Sequence, residues 1–159
     1  MMIELDISYE NPGMENRAPQ DFVQAVLGKI LALVEKYACE VSCTFVSDAT
    51  MSGMNSTYRG KKGSTDILSF VQTDDSDGFQ FPQMEEQETE VLGDIVICLD
   101  AMEHNCIEFQ VPPREELVRL LVHGVLHLIG WDHATNDLTE PMLKKQEELL
   151  KIVMEEYLR

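Results

Sequence analysis

Apolar and polar residues alternate over residues 3–9, which predicts a β-strand with one buried face. Turn-forming residues follow at positions 11–13, and beyond them apolar residues recur at helical spacing. This stripe predicts an amphipathic helix, and it consists of Phe22, Val23, Val26, Ile30, Leu33 and Tyr37. A strand followed by a helix therefore opens the fold.

Three later apolar stretches have the length and residue types of buried strands, and they span residues 41–46, 65–71 and 92–99. After the first of them, Asp48 is expected to cap a short helix. Residues 74–90 are rich in Asp, Glu and Gln, which predicts an unusually long acidic loop, either functional or disordered. Four strands separated by helices favour an α/β (α+β) fold with a mixed sheet of about four strands.

Two prolines followed by two acidic residues mark a helix start at residues 112–116. From there to about Ile129 the apolar residues point nearly all round, which indicates a central helix buried in the core. Residues 139–158 have one apolar face and predict a final packing helix. No shift in composition divides the chain, so we expect residues 1–159 to form a single small domain.

The charge and the cysteines narrow the function classes. The 12 basic and 29 acidic residues give a net charge of −17, which disfavours a general nucleic-acid surface and anionic membranes. The acidic first residues do not resemble a signal peptide, and no apolar run of about 18 residues occurs, so we expect a soluble cytoplasmic protein. The cysteines form no CxxC pair and are interpreted as free core thiols: Cys39, Cys43, Cys98 and Cys106.

Three of the four histidines lie within eleven residues, in or just after the buried helix: His123, His127 and His133. His123 and His127 are four residues apart, so they project from one helix face about 6 Å apart and can bind one ion. Gly130 stands where a residue in the left-handed conformation would end the helix. The chain then reverses and brings His133 back to the helix end as a third ligand. Three imidazoles in tetrahedral geometry suit zinc, so we expect one Zn²⁺ per chain. His104 lies outside this group.

Three protein ligands leave the fourth position of zinc open to water, as in catalytic sites. Zinc lowers the pKa of that water to about 7 and so supplies hydroxide at neutral pH. The alternative is a closed structural site whose fourth ligand is Cys98 or an acidic residue of the 74–90 loop.

The histidine spacing equals that of the metzincin proteases, in which a Glu directly after the first histidine acts as the general base. Here that position is Gly124, which cannot transfer a proton. A phosphodiester has less need of such a base, and the missing side chain is expected to leave room for it near the metal.

The most basic short stretch of the chain provides the cations that a phosphodiester requires. Residues 51–65 contain no acid but include Arg59, Lys61 and Lys62. Arg59 is expected to bind phosphate oxygens, because its planar guanidinium forms bidentate hydrogen bonds and stays charged. For Lys62 we favour a position in a solvated basic turn.

Four blocks of the sequence resemble, in the same order, those of the bacterial YbeY endoribonucleases: NSTYRGK at 55–61, TDILSF at 65–70, LGDIVI at 92–97 and HGVLHLIGWDH at 123–133. The resemblance covers nearly the whole chain, except that the acidic loop is poorly matched and that Trp131 stands where the family usually has Tyr. It implies a metal-dependent hydrolase domain that binds zinc through the three histidines and uses Arg59 as its other catalytic residue.

The resemblance also implies a single-strand-specific endoribonuclease that matures the 3′ end of 16S ribosomal RNA and takes part in 70S ribosome quality control. Zinc hydroxide, or a ribose 2′-hydroxyl that it deprotonates, is expected to attack the phosphodiester, with Arg59 and His123 as catalytic residues. Lys61 and Ser69 are expected to contact the substrate, and Asp132 to orient a ligand or a phosphate.

The acidic charge predicts weak binding to free RNA, since affinity depends on neutralising phosphates. We therefore expect recruitment to small-subunit ribosomal RNA through a ribosomal protein or an assembly GTPase, with no membrane or DNA contact. Asp66 and Asp94 are expected to cap or pair near strand ends. Two alternatives stay open: a metzincin-like zinc peptidase that lacks the usual Glu, and a non-catalytic ribosome assembly factor with a structural zinc.

Overall fold

The computed structural model describes residues 2–72 and 89–157. Its strands are β1 (Met2–Tyr9), β2 (Ala38–Val46), β3 (Ile67–Val71) and β4 (Glu90–Cys98). They form one sheet in the order β1-β2-β4-β3. Strands β1, β2 and β4 run parallel, whereas β3 pairs antiparallel with β4 and forms one edge of the described sheet. The predicted α/β fold with a mixed four-stranded sheet is therefore confirmed.

Six helices accompany the sheet in the described part of the chain: α1 (Met14–Arg17), α2 (Gln20–Leu33), α3 (Asp48–Arg59), α4 (Leu99–Phe109), α5 (Pro113–Leu128) and α6 (Pro141–Tyr157). Two predicted details are wrong. Tyr37 does not lie on the first long helix, because α2 ends at Leu33. Asp48 is not a cap but the first residue of α3, which has 12 residues, and Ser47 caps this helix by accepting a hydrogen bond from the Thr50 amide at 3.2 Å.

The hydrophobic pattern does not predict helix α4. Strand β4 ends at Cys98 and α4 begins at Leu99, so no turn residue separates the two elements. The predicted strand 92–99 therefore ends one residue inside a helix. Helix α4 buries Leu99, Met102 and Cys106, and it packs against α5.

Helix α5 lies in the core, as its apolar residues predict. It starts in the expected way, with Pro113 in the first turn and Glu115 and Glu116 beside the positive end of the helix. Its buried residues are Leu117, Val118, Leu120, Leu121, Val122, Gly124, Val125, Leu126 and Leu128. The sheet, α2, α4 and α6 all contact this helix.

The sheet separates two apolar clusters, because alternate residues of a strand point to opposite faces. Ile95 and Ile97 of β4 join α5 in the main core. Val96 and Cys98 on the other face pack with Met51 of α3. Helices α5 and α3 therefore cover opposite faces of the sheet.

The cysteines are buried free thiols, as expected. Burial raises the pKa of the Cys43 thiol to about 12. Of the predicted acidic loop, residues 74–88 lie outside the described residues, and Glu90 is the first residue of β4 rather than part of a loop. Within residues 2–72 and 89–157, no helix is both long and apolar enough to cross a membrane.

Candidate metal centre

Helix α5 presents two of the three clustered histidines at its C-terminal end. The ring centroids of His123 and His127 lie 4.6 Å apart, and their Nε2 atoms are separated by 3.1 Å. Two ligands on a tetrahedral zinc with bonds of about 2.0–2.1 Å are roughly 3.3 Å apart. The two nitrogens are therefore placed as ligands of a single ion would be.

The turn after α5 brings the third histidine back to the helix end. Gly130 has a φ of 106°, which is the left-handed conformation that the sequence predicts. The amides of Gly130 and Trp131 donate to the carbonyls of His127 and Leu126, at 3.1 and 2.9 Å, and so close the helix end. The His133 ring then lies 5.2 Å from that of His123 and 5.4 Å from that of His127.

One potential ligand atom from each histidine lies within 4.8 Å of the other two, so the group can hold a metal ion. No Cys, Asp or Glu joins this group among the residues that the structure describes. Cys98, the proposed fourth ligand of a closed site, instead packs in the apolar cluster on the other face of the sheet. Three protein ligands with a remaining open position are typical of catalytic zinc.

Hydrogen bonds at the outer nitrogens orient two of the rings. Gln146 donates through Nε2 to Glu147 at 3.1 Å, so its Oε1 faces His123 Nδ1 at 2.6 Å and accepts the proton there. The carbonyl of Thr135 accepts from His133 Nδ1 at 2.8 Å. Because an oxygen acceptor requires Nδ1–H, the lone pair of each ring lies on Nε2, the atom available to a metal.

The electrostatic surroundings favour neutral histidines. Burial is the largest cause that lowers the pKa of His123 and of His127, and the neighbouring histidines lower it further. The neutral imidazole is the form that binds a divalent cation. The donor types, their spacing and their protonation therefore fit a zinc ion.

A groove with a volume of about 1190 Å³ contains the three histidines and every other residue that the sequence analysis assigned to the site. These other residues are Arg59, Lys61, Ser69 and Asp132. All five residues of the edge strand β3 line the groove as well. Residues that are more than 60 positions apart in the sequence thus share one open space.

The cationic side of the groove comes from the end of α3 and the loop that follows. Arg59 is the last residue of α3, and Arg59, Lys61 and Lys62 are all exposed. Below them, the buried Asn55 donates from Nδ2 to the carbonyl of Gly63 at 2.9 Å, which ties the loop to the helix. Exposed cations in a concave surface can bind the oxygens of a phosphate.

Asp132 and Ser69 occupy different positions relative to the histidines. Asp132 is exposed, and its carboxylate accepts a hydrogen bond from the backbone amide of His133 at 2.8 Å. Its negative charge opposes the lowering of the His127 pKa. Ser69 is half-buried on β3 and lines the groove.

Asp66 and Asp94 make contacts of the structural kind that the sequence analysis expects. Asp94 on β4 accepts a hydrogen bond from the hydroxyl of Ser42 on β2, its neighbour in register. Asp66, just before β3, accepts from Asn105 Nδ2 of α4 at 3.1 Å. Burial raises the pKa of Asp66 above that of an ordinary Asp.

Sequence reasoning misses Gln146, which supports His123. The signal is a polar residue within the buried face of α6, whose other members are Met142, Leu143, Leu149, Leu150 and Val153. Gln146 is only 6% exposed. Its partner Glu147 is in turn bound by Arg119, which also pairs with Glu115 and Glu116 of α5.

The structure corrects the expectation that Gly124 leaves room beside the metal. Gly124 is buried against the sheet, where a Cβ atom would meet Cδ1 of Ile95 at 2.8 Å. The missing side chain therefore allows α5 to approach β4 and does not widen the groove. A glutamate at this position would collide with Ile95.

The fold and this cluster define the class of protein: a small α/β domain with three histidines that can hold a metal ion in a groove. The family model described as Endoribonuclease YbeY matches residues 6–154. The chain therefore belongs to the YbeY endoribonuclease family.

Individual relatives are similar over most of their length. A protein of Treponema denticola, named Endoribonuclease YbeY, is 41% identical over 128 residues, which are 80% of this chain and 79% of the relative. A protein of the same name from Pelotomaculum thermopropionicum is 37% identical over 140 residues, covering 87% and 83%. The solution structure of a Thermotoga maritima protein has a TM-score of 0.64 and 25% identity, covering 97% of this chain and 91% of that one.

Proposed function

We propose that this protein is a zinc-dependent, single-strand-specific endoribonuclease that hydrolyses phosphodiesters during maturation of the 3′ end of 16S ribosomal RNA. The proposal includes a role in 70S ribosome quality control, in the cytoplasm where ribosomes assemble. The observation that carries it is that the histidine cluster and Arg59 line one groove although they come from opposite faces of the sheet. The curated relatives are named endoribonucleases, which supports the same activity.

Each predicted site residue in the groove has a role in this proposal. His123, His127 and His133 hold one zinc ion, which when bound supplies Lewis acidity toward water and phosphoryl oxygens. Arg59 neutralises the negative charge that develops on the phosphoryl oxygens during attack. Lys61 adds a second positive charge on the same side.

The remaining polar groups of the site position these parts. Ser69 donates its hydroxyl to a non-bridging phosphate oxygen, and Asp132 holds the His133 backbone in place. The nucleophile is either water or the ribose 2′-hydroxyl. Products that end in a 2′,3′-cyclic phosphate would assign the ribose route.

The charge of the chain favours recruitment by a partner over tight binding of free RNA. The net charge is −17, whereas the exposed cations in the groove form one short stretch, and the other groove cation, Arg119, is paired with three glutamates. Physiological salt screens charges beyond about 8 Å, so this stretch acts locally but attracts RNA only weakly from a distance. We propose that a ribosomal protein or an assembly GTPase delivers the protein to the small-subunit RNA.

The test compares Arg59→Ala with Arg114→Ala, an exposed arginine outside the groove, in cleavage of a single-stranded ribosomal RNA fragment. Bound zinc is quantified in both variants by elemental analysis. We expect the wild type and Arg114→Ala to cleave, and Arg59→Ala to lose about 100-fold or more in rate while it keeps its zinc, as for a lost charge-stabilising group.

A chelator should abolish cleavage by the wild type, and restored zinc should recover it. Persistent cleavage in Arg59→Ala would identify a contaminating nuclease and contradict the proposal. Zinc-loaded wild type that leaves the RNA intact would favour a non-catalytic assembly factor. Cleavage of a peptide library would favour a peptidase, although the orientation of Gly124 toward Ile95 leaves no general base at that position.

A further inference from the structure

The groove contains the two most exposed aromatic side chains of the described residues. Tyr58 is 65% exposed and Phe109 is 67% exposed, and both line the groove that holds the histidine cluster. Tyr37 and Trp131 are exposed to a smaller extent, 49% and 37%, and neither lines this groove. We refer to Tyr58 and Phe109 together as the aromatic rim.

Each residue of the aromatic rim lies at the end of a helix. Tyr58 lies in the last turn of α3, directly before Arg59, and its ring packs edge-on against Phe70 of β3 with centroids 5.2 Å apart. Phe109 is the last residue of α4 and is followed by Gln110 in the left-handed conformation, with a φ of 56°. The Tyr58 ring, already packed on Phe70, loses little conformational freedom when a flat ligand stacks on it.

Exposed cations accompany the aromatic rim in the same groove. Arg59 follows Tyr58 in sequence, and Lys61 and Lys62 line the groove as well. The groove as a whole is not positively charged, since four acidic residues also line it: Asp66, Glu116, Asp132 and Glu147. On its cationic side, however, cations that follow phosphates stand with aromatic rings that stack on bases, which is the combination that binds single-stranded nucleic acids. A protein partner would not require this pairing of phosphate-binding and base-stacking groups.

Base stacking would supply binding affinity that the weak electrostatic attraction does not. Phosphate contacts by a few cations on a chain with a charge of −17 provide limited affinity. Base stacking does not depend on the net charge of the protein. It also requires bases that are free of a duplex, because paired bases are already stacked on their neighbours.

We infer that Tyr58 and Phe109 each stack on an unpaired base of the RNA strand whose phosphodiester lies at the histidine cluster. The inference rests on the proposed function and names the feature of the substrate that the groove selects. The aromatic rim thus selects single-stranded RNA, and Arg59 holds the phosphate between the rim and the metal site.

The test measures binding of the zinc-loaded protein to a single-stranded RNA that contains 2-aminopurine, whose fluorescence is quenched by stacking, by stopped-flow mixing that records association and dissociation before the strand is cut. The variants are Phe109→Ala, Phe109→Leu and Phe109→Trp, together with Tyr58→Ala and Tyr58→Phe. Tyr37→Ala is the matched control for an exposed aromatic residue outside the groove, and Ile107→Ala, 81% exposed, is the control on α4. Circular dichroism and thermal melting check that each variant folds.

We expect Tyr58→Ala and Phe109→Ala each to raise the dissociation constant by roughly 5- to 100-fold and to reduce the quenching. The two control variants should bind as the wild type does. Phe109→Trp and Tyr58→Phe should retain wild-type affinity, whereas Phe109→Leu should resemble Phe109→Ala. The slope of log Kd against log salt concentration should stay unchanged in Phe109→Ala. It should fall by about 1 in Lys61→Ala, because Lys61, unlike Phe109, contacts a phosphate.

Two results would overturn the inference. One is an affinity of the alanine variants equal to that of Tyr37→Ala, which would leave the aromatic rim free for a protein contact. The other is full affinity in Phe109→Leu, which would reduce the role to apolar contact without stacking. Binding and cleavage separate this inference from the proposed function: a wild type that binds and quenches but does not cut would contradict only the endoribonuclease activity.

Discussion

Replacing Gln146 by leucine removes the hydrogen bond to His123 together with the one to Glu147, which keeps its bonds to Arg119, and leaves the histidines in place. Gln146 Oε1 accepts the proton of His123 Nδ1 at 2.6 Å, and the side chain is 6% exposed. Leucine has nearly the same size, and the positions around it on α6 are already apolar. The change therefore tests the hydrogen bond with little change in packing.

The expected effect on zinc affinity is larger than the effect on stability. Without the acceptor, the His123 proton is free to move to Nε2, where it blocks the ligand lone pair. Loss of such a supporting hydrogen bond weakens metal binding by about 10- to 100-fold, which is about 1.4 to 2.7 kcal/mol. The unpaired N–H costs about 1–3 kcal/mol, and the buried leucine offsets a similar amount, so the free energy of unfolding of the metal-free protein should change little.

The assay is competition for zinc with a chromophoric chelator of known affinity. Gln146→Glu keeps an acceptor at the same position and should bind zinc as tightly as the wild type or more tightly. Lys144→Leu places the same new side chain at an exposed position of α6. Equal zinc affinity of Gln146→Leu and Lys144→Leu would refute the argument that Gln146 positions His123.

Three further changes test the packing and the charges. Gly124→Ala should lower the free energy of unfolding by about 1 kcal/mol because its Cβ meets Ile95 at 2.8 Å, and Ile95→Val should restore part of this loss in a double-mutant cycle by urea denaturation. Gly130→Ala should lower the free energy of unfolding by about 1–3 kcal/mol in the same assay, because a φ of 106° is strained for any other residue. It should also bind zinc more weakly, because the third histidine follows this turn. An unchanged free energy of unfolding together with an unchanged zinc affinity would contradict this. Glu40 lies opposite Glu4 on β1, and their hydrogen bond is the largest cause that raises the pKa of Glu40. A raised carboxyl pKa means that stability is lost as the pH rises through it, so Glu40→Gln should melt at a higher temperature than the wild type at pH 7, with no difference below a pH of about 4.

The histidine cluster could be predicted from the sequence because its geometry is local. One helical turn separates His123 from His127, and a single glycine with positive φ returns His133. These relations follow from the helix and its end, whatever the rest of the chain does. The same reasoning finds the buried character of α5, since a helix with apolar residues on all sides has to be covered.

The supporting contacts could not be predicted because they depend on tertiary packing. The role of Gln146 arises only when α6 lies against α5, and the orientation of Gly124 depends on which side of α5 meets β4. Periodicity does not distinguish the side of a fully buried helix that faces a sheet from the side that faces a groove. Helix α4 is missed for a different reason, because β4 leads into it without a turn residue.

The position of the groove follows from the topology of the sheet. Helix α3, which carries Arg59, packs on one face, and α5, which carries two of the histidines, packs on the other. Side chains from opposite faces of a sheet can share a space around an edge or past the ends of the strands. Strand β3 is that edge in the described sheet, and all five of its residues line the groove.

The short antiparallel strand therefore does more than complete the sheet. The loop with Lys61 and Lys62 leads from α3 into β3, so the chain passes from the sheet face covered by α3 to the edge of the sheet. Arg59 thereby lies in the same groove as the histidines of α5. A further strand paired to β3 would separate the arginine from the histidines. Within residues 2–72 and 89–157 no strand covers this edge, which is what the site requires, and under the proposed function an RNA strand enters the groove past it.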